Sequence, residues 1–211
     1  MPSNINIPPI FSYDENIRKQ YPRIAGLDEA GRGPLAGPVV AAAVILPAEL
    51  IIKGLRDSKK IAEKERKEIF WQIVKNAAAV GVGIVDADII DRINILQSTK
   101  LAMKHAINDL EIKPDFLLID AVKLSDVNIE QDSMFKGESV SASIAAASII
   151  AKTVRDDIMV EYHEKFPVYN FSGHKGYSTK QHMESIQLHG PCPIHRKSFR
   201  KVMDVPLPLD L

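Results

Sequence analysis

The stretch that decides the fold is Ile24–Pro47, "IAGLDEAGRGPLAGPVVAAAVILP", in which two apolar runs flank a glycine-rich turn. The first run ends in the adjacent acids Asp28 and Glu29 and is typical of a buried strand. The second run, Pro38–Pro47, is bounded by prolines and predicts another strand. Because strands joined by a short connection pair in antiparallel fashion, we expect the sheet to begin with an antiparallel pair.

The rest of the chain alternates helical and extended patterns. Further strands are predicted at residues 77–85 and 114–122, with a short extended piece around 134–137. Helices are predicted from apolar periodicity and end signals; they begin at Ser58 or Lys59, at Ile93, at Ser139 or Ser141, and at Thr179. The order ββαβαββαα predicts an α/β fold, a mixed central sheet flanked by helices, with a small C-terminal helical extension.

The composition narrows the class of protein. The 211 residues carry 27 basic and 27 acidic side chains, so the chain has no net charge. This balance argues against a protein that coats nucleic acid through its overall positive charge. Positive charge is nevertheless concentrated in residues 171–201, where six basic residues stand against one acid, Glu184. No apolar stretch approaches the length of a membrane span, and no signal peptide is evident. The single cysteine excludes an internal disulfide. We therefore expect the protein in the cytoplasm.

Acidic residues stand at the ends of the extended segments. Asp28 and Glu29 close the first strand, Asp120 closes "LLID", and Glu138 closes "MFKGE". Acids at the ends of strands from distant parts of a chain can meet at one edge of an open sheet. Such carboxylates repel one another unless cations lie between them, and hard oxygen ligands suit Mg²⁺ or Mn²⁺. Alternatively, a strand-end aspartate forms a turn or caps a helix, and a lone glutamate lies at the surface.

The glycine loop "GRGPLAG" is not a nucleotide-binding loop. Its spacing departs from the dinucleotide-binding pattern, it lacks the ending of a P-loop, and a strand rather than a helix follows it. The glycines still allow the backbone to approach a ligand closely, with the positive charge of Arg32 beside it.

Five motifs together resemble the bacterial ribonuclease HII family: "GLDEAGRGPLAGPVVAAAVIL", "LRDSKK", "LLIDA", "KGESVSASIAAASIIAKTVRD" and "GHKGYSTKQHMESIQLHGPCPIHRKSF". They follow the family's order from about Ile24 to about Phe199. The resemblance implies a ribonuclease H-like fold. It also implies hydrolysis of the RNA strand of RNA–DNA hybrids and cleavage 5′ to single ribonucleotides in duplex DNA, leaving 3′-hydroxyl and 5′-phosphate ends. We expect a loosely ordered tail over residues 1–20, the catalytic core over 21–165, and a basic helical segment with a tail over 166–211.

By this resemblance, Asp28, Glu29 and Asp120 match three metal-binding acids of the family, which uses two Mg²⁺ or Mn²⁺ ions. The fourth matching residue is Glu138, where the family usually has an aspartate. A glutamate is one methylene longer and can still ligate, so the departure bears on reach, metal preference or rate. Asp156 competes for this role, but it lies well down a helix and is expected to have a supporting or structural role. In the two-ion mechanism one ion activates a water and the other stabilises the leaving 3′-oxygen.

The resemblance also assigns substrate contacts. Gly31, Arg32 and Gly33 match the motif that reads the 2′-hydroxyl and the junction phosphate, and Tyr177 matches the tyrosine that packs on the next deoxyribose. A 2′-hydroxyl both donates and accepts hydrogen bonds, which suits main-chain groups beside small glycines. Contacts with phosphate are predicted for Lys59, Lys152, Lys180 and Arg196, although each lysine is as readily a solvated surface residue.

Two other functions stay open on the sequence. A non-enzymatic nucleic-acid or nucleotide-binding module would need no divalent ion, and a DNA nuclease or integrase-like strand transferase of the same fold would cut duplexes without ribonucleotides. The expected partners are RNA–DNA hybrids and ribonucleotide-containing DNA, with no membrane, and we expect a monomer. The tail "VPLPLDL", residues 205–211, loosely resembles short apolar peptides that dock on replication sliding clamps. Because proline-rich tails are usually disordered, we expect at most a weak clamp contact.

Overall fold

A computed structural model describes residues 7–56, 58 and 61–204 of the chain. One sheet has the strand order β3-β2-β1-β4-β5. Its strands are β1 (Ile24–Ala30), β2 (Val39–Ile45), β3 (Ala79–Val85), β4 (Phe116–Asp120) and β5 (Glu130–Met134). The helices of the described part are α1 (Pro9–Arg18), α2 (Glu63–Asn76), α3 (Ala87–Asn108), α4 (Ala142–Lys165), α5 (Phe171–His174), α6 (Lys180–His189) and α7 (Arg200–Met203).

The sheet is mixed, as the sequence predicted. Strand β1 pairs antiparallel with β2, which pairs antiparallel with β3. On its other side β1 pairs parallel with β4, and β4 pairs parallel with β5. The predicted position of the fifth strand is wrong: the strand spans Glu130–Met134 and shares only Met134 with the expected piece at 134–137, because Gly137 begins a 3-10 turn. Within the described ranges, no helix combines the length and apolar character needed to cross a membrane.

Helices cover both faces of the sheet. On β2, Ala41 and Ala43 belong to a core cluster that includes residues of α3, whereas Ala42 and Val44 belong to a second cluster with α2 and α4. All seven residues of β2 are buried. A strand buried on both faces has no need of polar alternation, which explains the continuous apolar run "VVAAAVI".

The start of α4 packs directly on β1. A Cβ atom at Gly26 would lie 2.0 Å from the carbonyl carbon of Ser143, so only glycine allows this approach. Ser141 caps the helix by accepting a hydrogen bond from the Ile144 N–H at 3.2 Å, which confirms the predicted start near Ser139 or Ser141. The packing fixes the end of α4 that lies next to the strand carrying Asp28 and Glu29.

The segment predicted to be a loosely ordered tail contains helix α1, so this part of the prediction is wrong. Asp14 of α1 is buried, and its Oδ2 accepts hydrogen bonds from the N–H and the hydroxyl of Ser143 at 2.8 and 2.7 Å. The bonds attach α1 to the first turn of α4. The boundaries drawn at residues 21, 165 and 166 stay predictions.

The predicted start of the first helix after the two strands is also wrong, because α2 begins at Glu63 rather than at Ser58 or Lys59. The hydroxyl of Ser58 lies 2.8 Å from that of Ser148 on α4, so Ser58 is a buried contact and not a cap. Lys59 lies outside the described residues.

Removing the Asp14 carboxylate should destabilise the fold. In Asp14→Ala the buried N–H and hydroxyl of Ser143 lose their acceptor, which costs about 1–3 kcal/mol in the free energy of unfolding. Urea denaturation measures the change, with Asn16→Ala, an exposed position on the same helix, as the control. Equal stability of the two variants would contradict the docking of α1.

Candidate active site

Three carboxylates meet at one edge of the sheet. Asp28 lies near the end of β1, Asp120 is the last residue of β4, and Glu138 lies in the 3-10 turn that precedes α4. Strands β1 and β4 are adjacent and parallel, so both aspartates emerge at the same edge. One carboxylate oxygen from each of the three residues lies within 4.8 Å of the other two.

The electrostatics of this group favour a bound cation. Burial raises the pKa of the Asp28 carboxyl well above its usual range, and the charges of Glu29 and Asp120 raise it further, whereas hydrogen bonds from Ser148 and from the Glu29 N–H act in the opposite direction. Glu138 is also buried. Close, buried carboxylates are stabilised by a divalent cation between them, and an all-oxygen donor set fits Mg²⁺ or Mn²⁺.

Hydrogen bonds hold these side chains in place. The N–H of Gly137 donates to Asp120 Oδ1 at 3.0 Å, and the Glu29 N–H donates to Asp28 Oδ1 at 2.7 Å. The Ser148 hydroxyl donates to Glu138 Oε2 at 3.1 Å. Bonds of this kind orient metal-binding carboxylates before an ion arrives.

Sequence reasoning did not identify Ser58 and Ser148 as residues of the site; Ser58 was interpreted only as the start of a helix. Ser148 lies within the small-residue run "SIAAASII" of α4, which is typical of helix packing. Only its contact with a carboxylate from another segment distinguishes it.

Glu29 is positioned differently from the other three predicted ligands. It lies beside Asp28, and its Oε1 accepts a hydrogen bond from Arg32 Nη1 at 3.2 Å. Among the described residues it is not a member of the compact group of three. Its carboxylate therefore links the acids to the glycine loop.

Three of the acids, Asp28, Glu29 and Asp120, share an open cleft of about 260 Å³ with the glycine loop and the tyrosine. Tyr177 is 45% exposed, and a Cβ atom at Gly33 would lie 3.9 Å from Tyr177 Cε1, so the ring stands next to the loop. The residues that line the cleft are Asp28, Glu29, Ala30, Gly31, Arg32, Gly33, Ser58, Asp120, Ser148, Lys152 and Tyr177. The structure thus brings together most of the residues singled out from the sequence.

Arg196 contradicts the prediction that it contacts phosphate. Its side chain is fully buried, and it donates hydrogen bonds into the glycine loop instead of facing solvent. The acceptors are the carbonyl oxygens of Gly31, Arg32, Pro34 and Gly37. The "HRKSF" pattern resembled an exposed basic cluster because the sequence does not reveal these main-chain acceptors.

The three predicted lysines have different positions. Lys152 lines the cleft, with its Nζ 5.9 Å from the centre of the Tyr177 ring and 2.6 Å from Asp156 Oδ1. The side chain of Lys180 is 91% exposed on α6, where it lies 3.7 Å from Glu184. The predicted role of Lys59 falls outside the described residues.

Asp156 is buried and forms ion pairs with two basic side chains. Its Oδ2 lies 3.0 Å from Arg66 Nη2, and its Oδ1 lies against Lys152. The pair with Arg66 joins α2 to α4, whereas the pair with Lys152 lies within α4; both are in keeping with a supporting role for Asp156.

Three of the histidines near the C-terminus, His174, His182 and His195, pack together, and the last two are buried. His182 and His195 lie with their Nε2 atoms 3.0 Å apart, and His174 stacks on His182 with ring centres 4.4 Å apart. Burial lowers the pKa of both His182 and His195 to about 4. They are therefore neutral at physiological pH and pack against Tyr169 and Phe171 rather than adding positive charge.

Comparison of the sequence with known proteins shows which family the chain resembles. The family described as Ribonuclease HII matches residues 25–202. A ribonuclease HII of Acetivibrio thermocellus is 57% identical over 187 residues, which cover 89% of this chain and 73% of that protein. A ribonuclease HII of Geotalea daltonii is 52% identical over 198 residues, which cover 93% of this chain and 92% of that protein.

Solved structures share the fold. The ribonuclease H2 of Pyrococcus horikoshii superposes with a TM-score of 0.75 at 24% identity, covering 87% of this chain and 96% of that one. The ribonuclease HII in a complex with PCNA from Archaeoglobus fulgidus gives a TM-score of 0.73 at 27% identity, covering 84% and 95%. Since the family match spans most of the sequence and close relatives align over nearly the whole chain, this protein belongs to the ribonuclease HII family.

Proposed function

We propose that Asp28, Glu29, Asp120 and Glu138 are the catalytic acids of this chain and bind two Mg²⁺ or Mn²⁺ ions. As a member of its family, the chain is an endonuclease of the ribonuclease H type, which hydrolyses the RNA strand of RNA–DNA hybrids and cuts 5′ to single ribonucleotides in duplex DNA. The observation that carries the metal assignment is the group of three carboxylates within 4.8 Å.

The ions, when bound, supply Lewis-acid activation of water and stabilisation of the leaving 3′-oxygen. The part of the chain is to hold its oxygen ligands at one edge of a rigid sheet and to keep them oriented. The Gly137 N–H fixes Asp120, and the Ser148 hydroxyl fixes Glu138. A nucleophile from the protein is not needed in this chemistry, so the neutral histidines are given no catalytic role.

We assign recognition of the ribonucleotide to the other wall of the cleft. The main chain of Gly31–Gly33, with Arg32, would contact the 2′-hydroxyl and the junction phosphate, and the Tyr177 ring would pack on the following deoxyribose. An aromatic ring against that sugar disfavours a second 2′-hydroxyl, which selects an RNA-to-DNA junction. The adjacency of Gly33 and Tyr177 in one cleft supports the assignment.

Exposed basic residues near the C-terminus would hold the duplex through its phosphates without reading bases. Lys201 Nζ lies 3.2 Å from Ser178 Oγ, which places one such charge beside Tyr177. Lys180, Lys197 and Arg200 are exposed in the same segment. We further propose that the enzyme works as a cytoplasmic monomer in ribonucleotide removal and RNA primer removal.

A pair of duplexes tests the function. In Mg²⁺ the enzyme should cut a DNA duplex that contains one ribonucleotide and leave the matching all-DNA duplex intact. Asp120→Asn should lower the rate by roughly 100- to 1000-fold, the size of effect when one electrostatic stabiliser of a transition state is lost. Gel analysis of end-labelled strands, with EDTA as the metal-free control and circular dichroism as the folding check, gives the readout.

The outcomes separate the rival functions. Equal cleavage of both duplexes would indicate a DNA nuclease, and binding without cleavage in either metal would indicate a binding module. A near-normal rate for folded Asp120→Asn would remove Asp120 from the metal ligands.

Two substitutions test whether the length and the charge of the Glu138 side chain matter for activity. Glu138→Asp should keep most of the activity, because a carboxylate stays near Asp28 and Asp120, whereas Glu138→Ala should lose most of it. Single-turnover rates in Mg²⁺ and in Mn²⁺ measure both variants, with Glu184→Ala on the exposed face of α6 as the control. An active Glu138→Ala enzyme would transfer the role to another acid, such as Asp156.

A weak contact between residues 205–211 and a sliding clamp is a separate proposal. It is supported by the structural relative from Archaeoglobus fulgidus, which is known in complex with PCNA. The tail itself lies outside the described residues. Deletion of residues 205–211 should reduce capture by the purified clamp of the same organism without changing cleavage of the ribonucleotide duplex; undiminished capture would contradict the proposal.

A further inference from the structure

Two fully buried arginines lie behind the glycine loop. Arg155 is on α4, and Arg196 follows α6. Arginines are rarely buried completely, and those that are usually face carboxylates. Here the guanidinium groups face main-chain carbonyl oxygens of the segment Gly31–Pro38, which contains the proposed reader of the ribose.

The two side chains bind nearly the whole of this segment. Arg196 donates to four of its carbonyl oxygens: Gly31 at 2.6 Å, Arg32 at 3.1 Å, Pro34 at 2.8 Å and Gly37 at 3.0 Å. Arg155 donates to two more, Ala36 at 3.1 Å and Pro38 at 3.0 Å. The main-chain N–H of Arg196 donates to the carbonyl of Leu35 at 2.8 Å. Seven of the eight carbonyl groups in Gly31–Pro38 are therefore held by these two residues.

Arg155 also connects the loop to the segment that carries Tyr177. Arg155 Nη1 donates to the carbonyl of Lys175 at 3.0 Å, and the N–H of Leu35 donates to the carbonyl of Gly176 at 2.8 Å. A Cβ atom at Gly176 would lie 2.5 Å from the Ala36 carbonyl oxygen, so the two segments are in direct contact. The loop and the segment that carries Tyr177 thus form one packed unit, joined by Arg155 and by main-chain contacts.

Resting on the proposed function, we propose that Arg155 and Arg196 are positioning residues that set the geometry with which the glycine loop and Tyr177 recognise a ribonucleotide. A peptide group is planar, so fixing the carbonyl of Gly31 fixes the direction of the Arg32 N–H, and fixing that of Arg32 fixes the Gly33 N–H. Successive N–H groups held in this way form a site for a phosphate or sugar oxygen.

The charge of the arginines adds to this effect. Burial lowers the pKa of Arg196 to about 9 and that of Arg155 to about 10, so both stay cationic at neutral pH. Two permanent charges behind the loop, neutralised only in part by carbonyl dipoles, favour an anionic phosphate in front of it.

Arg196→Lys tests the role of the forked donor group. A lysine keeps the positive charge, but its single ammonium group cannot donate to all four carbonyl oxygens, which the planar guanidinium reaches with several N–H donors in fixed directions. We compare the Kd for a duplex with one ribonucleotide with the Kd for the all-DNA duplex, in Ca²⁺ under conditions where neither is cut. The ratio of the two Kd values, which measures the preference for the ribonucleotide, should fall by roughly tenfold or more in the variant, because the contacts of the loop with the ribonucleotide are then misplaced.

Two readouts separate positioning from general damage. Affinity for the all-DNA duplex should stay within about twofold, because exposed lysines supply the backbone contacts. The half-activating Mg²⁺ concentration should change little, because the compact group of Asp28, Asp120 and Glu138 lies outside the loop; Glu29, whose carboxylate is bonded to Arg32, is not a member of that group. Arg18→Lys is the matched control: its guanidinium is also largely buried and donates to a carbonyl, that of Leu46, away from the cleft.

A double-mutant cycle tests the link to Tyr177. If the arginines act through the joint geometry of loop and tyrosine, Tyr177→Ala should cost less cleavage in Arg155→Lys than in the wild type. Strictly additive losses would overturn the link. A ribonucleotide preference that Arg196→Lys retains in full would overturn the positioning role, whereas a wild type without any preference would refute the proposed function itself.

Hydrogen exchange of the wild-type enzyme does not depend on whether a variant folds. The N–H groups of Leu35 and Gly37, bonded to the carbonyls of Gly176 and Ile194, should exchange as slowly as those of α4. Exchange at the rate of an open loop would overturn the proposal even if neither arginine variant can be purified.

Discussion

The parallel pairing of β1 with β4 is the contact on which the active site depends. It sets Leu27 opposite Ile119, so the next residues, Asp28 and Asp120, leave the sheet side by side. This position is electrostatically unfavourable for the Asp28 carboxylate, because burial and the charges of Glu29 and Asp120 raise its pKa well above the usual range. The stability of the sheet, whose strand β2 is buried along its whole length, maintains an arrangement that the carboxylates alone would oppose.

The remaining parts of the cleft are attached to that sheet edge through α4. Its first turn packs on Gly26 of β1, and the turn before it contributes Glu138. Further along, Ser148 contacts Glu138 and Lys152 lines the cleft, while Arg155 binds the glycine loop. One helix therefore sets the distance between the acids that are proposed to hold the ions and the loop that is proposed to read the sugar.

Much of this arrangement could be predicted from the sequence. Apolar runs predicted where the strands end and therefore which acids, Asp28 and Asp120 among them, could meet at one edge of the sheet. The pattern alone could not decide which strand-end acids converge; Glu138 and Tyr177 were identified through the resemblance to the family. Asp14 and Arg196 could not be understood in advance, because their partners are 129 and up to 165 residues away in the chain. Both look like surface residues until those partners are known.

The central claim is that the buried carboxylates form a divalent-ion site, and calorimetric titration with Mn²⁺ tests it most directly. The wild type should bind Mn²⁺ with an affinity that falls as the pH is lowered, because the raised pKa of Asp28 lets protons compete with the metal, and binding should release protons. Asp28→Asn should bind far more weakly. Equal Mn²⁺ binding by the folded variant and the wild type would contradict the account.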